Sequence, residues 1–165
     1  MKKIVLIIVV AFLLASCNGD DYYNVAIFHG KNGDHEEAIE YFNKAIEEKS
    51  NDVDAYHNRG ISKQRLGDNE GAIADYTMAI KLKNDDYHSY TNRGVAKLRL
   101  SKIESAIVDF NRAININPKF VLAHSNLGNA YGLMHNMEKA CKSWEIAAEF
   151  GKPDSKIYFN KYCHI

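Results

Sequence analysis

The sequence predicts an all-α solenoid of four helix hairpins closed by a capping helix. Three observations predict it. First, residue types recur every 34 residues in five columns: Asn24, Asn58, Asn92 and Asn126; Ala26, Gly60, Gly94 and Gly128; Ala38, Ala72, Ala106 and Ala140; Phe42, Tyr76, Phe110 and Trp144; Ala45, Ala79, Ala113 and Ala147. Chance would not set five columns in one register, and a fixed period of this kind marks a stacked-repeat architecture. Second, only Pro118 and Pro153 interrupt a chain rich in strong helix formers. Third, Val/Ile/Thr runs bounded by turn residues, the signature of strands, are missing.

The chain opens with Lys2 and Lys3, then eleven apolar residues from Ile4 to Leu14. A membrane-spanning helix needs about 20 apolar residues, so the run reads as a cleaved secretory signal. Leu14-Ala15-Ser16-Cys17 closes it. These four residues resemble the lipobox of bacterial lipoproteins, and the resemblance implies the following. Residues 1–16 are removed and Cys17 is lipidated with two or three palmitate-class acyl chains. Residues 17–20 form the anchor and linker. One acyl chain binds a membrane only marginally, and several on one residue hold it durably. Asn18, rather than Asp, after the cysteine points to the outer membrane, on its periplasmic face. Gly19-Asp20-Asp21 loosely resembles the export tags of Bacteroidota lipoproteins, which leaves display at the cell surface as the alternative.

The repeats follow in order at 19–52, 53–86, 87–120 and 121–154, with a cap over 154–165. Helices are expected near 21–31 and 35–48, 53–66 and 69–82, 87–99 and 103–116, and 121–134 and 137–149. A last one is expected near 154–163. In the first copy, Gly30 inside the first helix costs about 1 kcal/mol against Ala, so that helix is expected to fray. In the second, Gly60 and Ala72 are small enough for the two helices to approach closely, and Tyr76 fills the space between hairpins. Asp52 and Asp86 stand where they cap the helices that follow. The second and third copies share Asn-Arg-Gly and an acid before the aromatic. Arg59 with Asp75 and Arg93 with Asp109 are therefore expected to pair across each hairpin. Pro118 marks a helix stop. The fourth copy carries His135-Asn136 in its inner turn, where the second has Gly67-Asp68.

Cys141 and Cys163 each lie eleven residues from Lys152, at the turn between the last repeat helix and the cap. Equidistant residues of an antiparallel hairpin face each other, and an exported chain can hold a disulfide. The alternative is a pair of buried thiols, with Cys141 standing where Ile73 and Ile107 stand in its column. No Cys-x-x-Cys motif points to redox catalysis.

These columns resemble the tetratricopeptide repeat, a helix-turn-helix unit of the same period, over nearly all of the chain after the signal. The resemblance implies a right-handed superhelical solenoid of four such hairpins plus the capping helix. Ala26, in place of the usual glycine, makes the first copy degenerate. In this family the first helix of each hairpin lines a concave groove. The groove residues implied are Tyr23, Asn24, Ile27, His57, Asn58, Ile61, Gln64, Arg65, Thr91, Asn92, Val95, Arg99, Ser125, Asn126 and Asn129. Amide side chains carry donors and an acceptor suited to a peptide backbone; equally, the asparagine column can belong to the repeat itself and only pack or cap. Some members clamp a chaperone's terminal carboxylate with basic residues. Here Tyr23 and Ile27 stand at the lysine and asparagine positions, and His88 and Asn92 replace a lysine and an arginine.

Without Lys2 and Lys3, 19 of the 21 basic residues remain against 21 acids, a net charge near −2. That gives no basic excess for nucleic acid, whose binding rests on neutralised phosphates. No His/Cys spacing suits a metal, and no nucleophile elbow or phosphate loop is present. No cofactor or catalytic residue is expected. The reading is a non-enzymatic, membrane-anchored scaffold, a monomer or the subunit of a complex, that binds an envelope protein or peptide through the groove. Its alternative is a structural spacer, or an assembly subunit without a discrete peptide ligand.

Overall fold

The computed structural model describes residues 19–151 and 153–163; Cys17 and the rest of the lipobox lie outside the described residues. The described chain is entirely helical: α1 (Gly19–Asn32), α2 (His35–Glu48), α3 (Val53–Arg65), α4 (Asn69–Leu82), α5 (Tyr87–Arg99), α6 (Ile103–Ile116), α7 (Val121–Leu133), α8 (Met137–Glu149) and α9 (Pro153–Tyr162). Each helix packs on the next in sequence. The odd-numbered helices α1, α3, α5 and α7 also touch one another, so they share one inner wall. None of the helices is long and apolar enough to cross a membrane.

Two boundaries differ from the sequence reading. Gly19 and Asp20 belong to α1 rather than to a linker. Acidic Asp20 and Asp21 sit in its first turn, where they complement the positive end of the helix dipole. The same helix continues through Gly30 to Asn32, packed on α2. The cap starts at Pro153, a residue whose fixed φ suits the first helical position.

Local chemistry explains the helix starts. Asp52 accepts from the Ala55 N–H at 3.0 Å, Asp68 from Gly71 at 2.8 Å, and Asp86 from both His88 and Ser89. Asn136 accepts from Lys139 and starts α8. The inner turn of every hairpin needs a left-handed residue at the same place in the repeat. Gly33 (φ 92°) and Gly67 (φ 87°) supply it freely, whereas Ser101 (φ 58°) and His135 (φ 56°) carry a Cβ into it. A side chain there costs about 1–2 kcal/mol. Ser101→Gly is therefore expected to stabilise the protein by about 1 kcal/mol, after the entropy that glycine adds to the unfolded chain. Urea denaturation checks it.

The core repeats one contact. Phe42, Tyr76, Phe110 and Trp144 are buried. In the last three copies the ring packs directly against Gly60, Gly94 or Gly128. A Cβ built on Gly94 would come within 2.5 Å of Phe110 Cε1, and one on Gly60 within 2.8 Å of Tyr76 Cε1. Alanine normally strengthens a helix relative to glycine, but here the buried ring would have to move. Gly94→Ala should thus destabilise by about 2 kcal/mol, the usual cost of overpacking, with a lower midpoint in thermal unfolding.

Consecutive hairpins are joined by buried charge. Arg59 donates from Nε and Nη2 to the two Asp75 oxygens at 2.9 and 2.6 Å, and from Nη1 to Asn43 of α2 at 2.7 Å. Lys63 Nζ reaches Asp75 at 2.9 Å. One repeat later, Arg93 holds Asp109 at 2.9 and 2.7 Å and Thr77 of α4 at 3.0 Å, with Lys97 Nζ at 2.7 Å from the carboxylate. Each carboxylate is only 3% exposed. The lysines, one turn beyond each arginine, are absent from the sequence reading. The first copy replaces the network by His29 stacked on Tyr41 at 5.4 Å, and the fourth by Leu127 and Ser143.

The cap α9 packs on α8. Cys141 and Cys163 form a disulfide with their Cα atoms 5.6 Å apart. Ser155, fully buried, donates to Ser125 of α7 at 3.0 Å.

Candidate functional site

The inner wall presents the groove residues in a row of four helices. At the N-terminal end, the Tyr23 ring meets Phe42 edge-on at 5.9 Å, and its hydroxyl accepts from Asn58 Nδ2 at 3.1 Å. Burial, then the nearby Asp54 and Asp52, push that hydroxyl up, while the hydrogen bond from Asn58 pulls it down. Asn58 Nδ2 also reaches the Asp54 carbonyl at 2.9 Å. This asparagine thus stitches α1 to α3, and packing accounts for it. Asn24 is exposed. Ile27 and Ile61 line a 190 Å³ cavity between the first two hairpins, with Asn58 and Lys31 at its edge.

His57 sits where α3 meets α5. Its Nδ1 lies 2.7 Å from Ser89 Oγ and 3.8 Å from Asp86 Oδ2, and Asn92 Nδ2 is 3.5 Å from Nε2. His88 stands edge-on to it, ring centres 6.5 Å apart. Burial pushes the His57 imidazole down; Asp86 and Asp54 oppose this, and His88 adds to it. The sign follows. A folded-state value below the ordinary histidine value makes the unfolded chain the better proton acceptor. The stability is present above about pH 6.5 and is lost as pH falls through that value and through the lower folded one. Wild type should therefore lose more stability than His57→Gln between about pH 7 and pH 5, read by urea denaturation of both.

Further along, Tyr76 donates to Gln64 Oε1 at 3.1 Å, and Trp144 Nε1 donates to Asn129 Oδ1 at 3.0 Å. The buried aromatics thus fix amides of the wall by their polar ends. Arg99 Nη1 donates to the Gln64 carbonyl at 3.1 Å, and Arg65 and Arg99 are exposed. Val95 packs on the cluster of Phe110 and Leu127. Asn126 is half-buried on α7.

Two residues leave the predicted groove. Thr91 is buried and its hydroxyl donates to the Tyr87 carbonyl, satisfying it within α5. Ser125 is covered where the cap lands, as the acceptor of Ser155. Both support the wall and offer no surface. The sequence reading also stopped too early. Beyond Asn129 a 490 Å³ cleft opens, lined by Leu133, Met137, Trp144, Tyr158 and Tyr162. Trp144 stacks on Tyr158 at 5.5 Å, and both tyrosines remain exposed. Leu133 is the next member of the column Lys31, Arg65, Arg99, and Tyr158 and Tyr162 share one helix face. Those two signals would have found it.

Among the described residues no group of three or more His, Cys, Asp or Glu could hold a metal. The wall offers amides, guanidinium groups, aromatic rings and apolar floor, which together suit an extended polypeptide.

Models of the tetratricopeptide repeat match residues 20–52 and 53–86, and a further TPR repeat model matches 98–134. The chain belongs to the tetratricopeptide repeat family. No curated protein matches it in sequence. Among solved structures, MamA is similar with a TM-score of 0.81 at 22% identity, over 88% of this chain and 86% of that one. The first TPR of Spaghetti (RPAP3), bound to HSP90 peptide SRMEEVD, is similar with a TM-score of 0.70 at 23% identity. That match covers 72% of this chain and 94% of the other. These likenesses concern the fold.

Proposed function

We propose that this chain is a non-enzymatic scaffold of the bacterial envelope, anchored by lipid on Cys17, that captures an extended segment of a partner protein in its concave groove. The carrying observation is the inner wall itself, a row of polar side chains over apolar floor that ends in a cleft where exposed Tyr158 and Tyr162 lie against buried Trp144. Aromatic anchors of that kind dominate protein interfaces. A relative in fold, the first TPR of Spaghetti, is bound to a peptide, which supports the same use of this wall. Leu14-Ala15-Ser16-Cys17 supports the tether. Holding the scaffold at the membrane raises the local concentration of whatever it binds there.

Two measurements test this. Cys17→Ser should abolish incorporation of a clickable palmitate analogue and shift the protein from the membrane to the soluble fraction; unchanged labelling would overturn the tether. Asn92→Trp with Asn126→Trp fills the groove at two half-buried positions. It should remove a protein crosslinked in cells to the wild type while helical circular dichroism stays the same. Identical captures from both proteins would move the contact off the groove.

A further inference from the structure

The four exposed ends of the inner helices carry one column, Lys31, Arg65, Arg99 and Leu133. Charges near a helix C-terminus complement its dipole, and that accounts for their sign. It does not account for their surroundings. The arginines of the buried joints, Arg59 and Arg93, each hold a carboxylate. Arg65 and Arg99 hold none among the described residues, in a protein with as many acids as bases. They flank one spot: both pull down the Tyr76 hydroxyl, against its burial and Asp75, which push it up. Arg99 is fixed there by its bond to the Gln64 carbonyl. At that spot Gln64 uses its Oε1 for Tyr76, while its Nε2 is buried and has no acceptor. A buried donor without an acceptor costs about 1–3 kcal/mol. Two guanidinium groups that hold no carboxylate thus lie beside one unmet N–H, and together they suit an anionic acceptor.

We infer that Gln64, Arg65 and Arg99 form a subsite for a side-chain carboxylate of an acidic partner segment running across the C-terminal ends of α3 and α5. The inference rests on the reading of the inner wall as the partner-binding face. The subsite uses none of Tyr23, Ile27, His88 and Asn92, which stand at the positions with which some family members grip a chain terminus. Lys31 extends the positive edge toward α1, and Leu133 ends it.

The probe is a fluorescein-labelled, C-terminally amidated peptide of alternating glutamate and glycine, titrated by anisotropy with the detergent-solubilised full chain at low salt. A glutamine version with a free C-terminus distinguishes side-chain from terminal carboxylate. The glutamate peptide should bind, and the glutamine one should not. Arg65→Gln with Arg99→Gln should weaken binding about tenfold, the size expected of two exposed ion pairs. Lys119→Gln with Lys142→Gln removes the same charge elsewhere and should leave binding within about twofold. Equal losses in the two double variants would reduce the effect to overall charge and overturn the subsite. So would binding of the glutamine peptide as tightly as the glutamate one. If the Arg65→Gln/Arg99→Gln protein still captures its cellular partner through the groove at full yield, the subsite falls and the scaffold reading stands. Loss of groove capture by the wild type itself would sink both.

Discussion

Asp75→Asn lowers the stability of the protein by about 3 kcal/mol, the cost of leaving buried charge without its counter-ion. The neutral amide leaves Arg59 and Lys63 facing each other without the carboxylate that joins them at 2.6 to 2.9 Å. The effect exceeds that of an ordinary surface ion pair because Asp75 is 3% exposed and Arg59 16%. Arg59 also bonds Asn43 of the preceding hairpin, so the substitution loosens the joint between two repeats as well as one hairpin. A melting-temperature loss of roughly 10 °C follows for a chain of this size. The same exchange at Asp109 should behave alike, because Arg93, Lys97 and Thr77 reproduce the geometry one repeat later. If Asp75→Asn melts within a degree or two of wild type, the joints are held by apolar packing alone.

Reduction of Cys141–Cys163 releases the cap. The bond closes a loop across 22 residues, worth about 3 kcal/mol on the chain-entropy model. The loss falls mainly on α9, which packs chiefly on α8 and whose exposed face includes Ile157, Tyr158 and Tyr162. Trp144 is the single tryptophan and stacks on Tyr158, so its emission reports the event directly. Dithiothreitol, or Cys163→Ser, should shift Trp144 emission to the red at temperatures where helical circular dichroism from the four hairpins is intact. Coincident loss of both signals would show that the cap and the repeats unfold as one unit. The cleft beside Asn129 depends on α9, so reduction also opens the apolar end of the groove.

Much of this architecture is written in the 34-residue period, because each column answers one packing need. Gly94 is small since Phe110 covers it, and Ala106 is fully buried in the cluster of Phe110, Leu127 and Ala130. The arginine–aspartate joints could be read from two copies sharing Arg and Asp at matched places. Lys63 and Lys97 were harder to see, as an exposed-looking lysine one turn from an arginine is common on any helix. Ser101 and His135 show the opposite limit: the turn demands a left-handed residue, and two copies meet the demand without glycine. The groove was the least readable part. A period places Thr91 and Ser125 on the inner wall, but only tertiary contacts reveal that one is satisfied within α5 and the other lies beneath α9. The cleft of Trp144, Tyr158 and Tyr162 depends on the helix that follows the repeats, which no repeat column describes.

The decisive measurement is site-specific photocrosslinking in intact cells, with the crosslinking side chain placed at Asn126 on the inner wall or at exposed Asn111 of α6, outside the inner row of helices. A discrete protein captured from Asn126 and absent from Asn111 is the predicted result. Capture from Asn111 alone, or the same bands from both positions, would contradict a groove-binding scaffold.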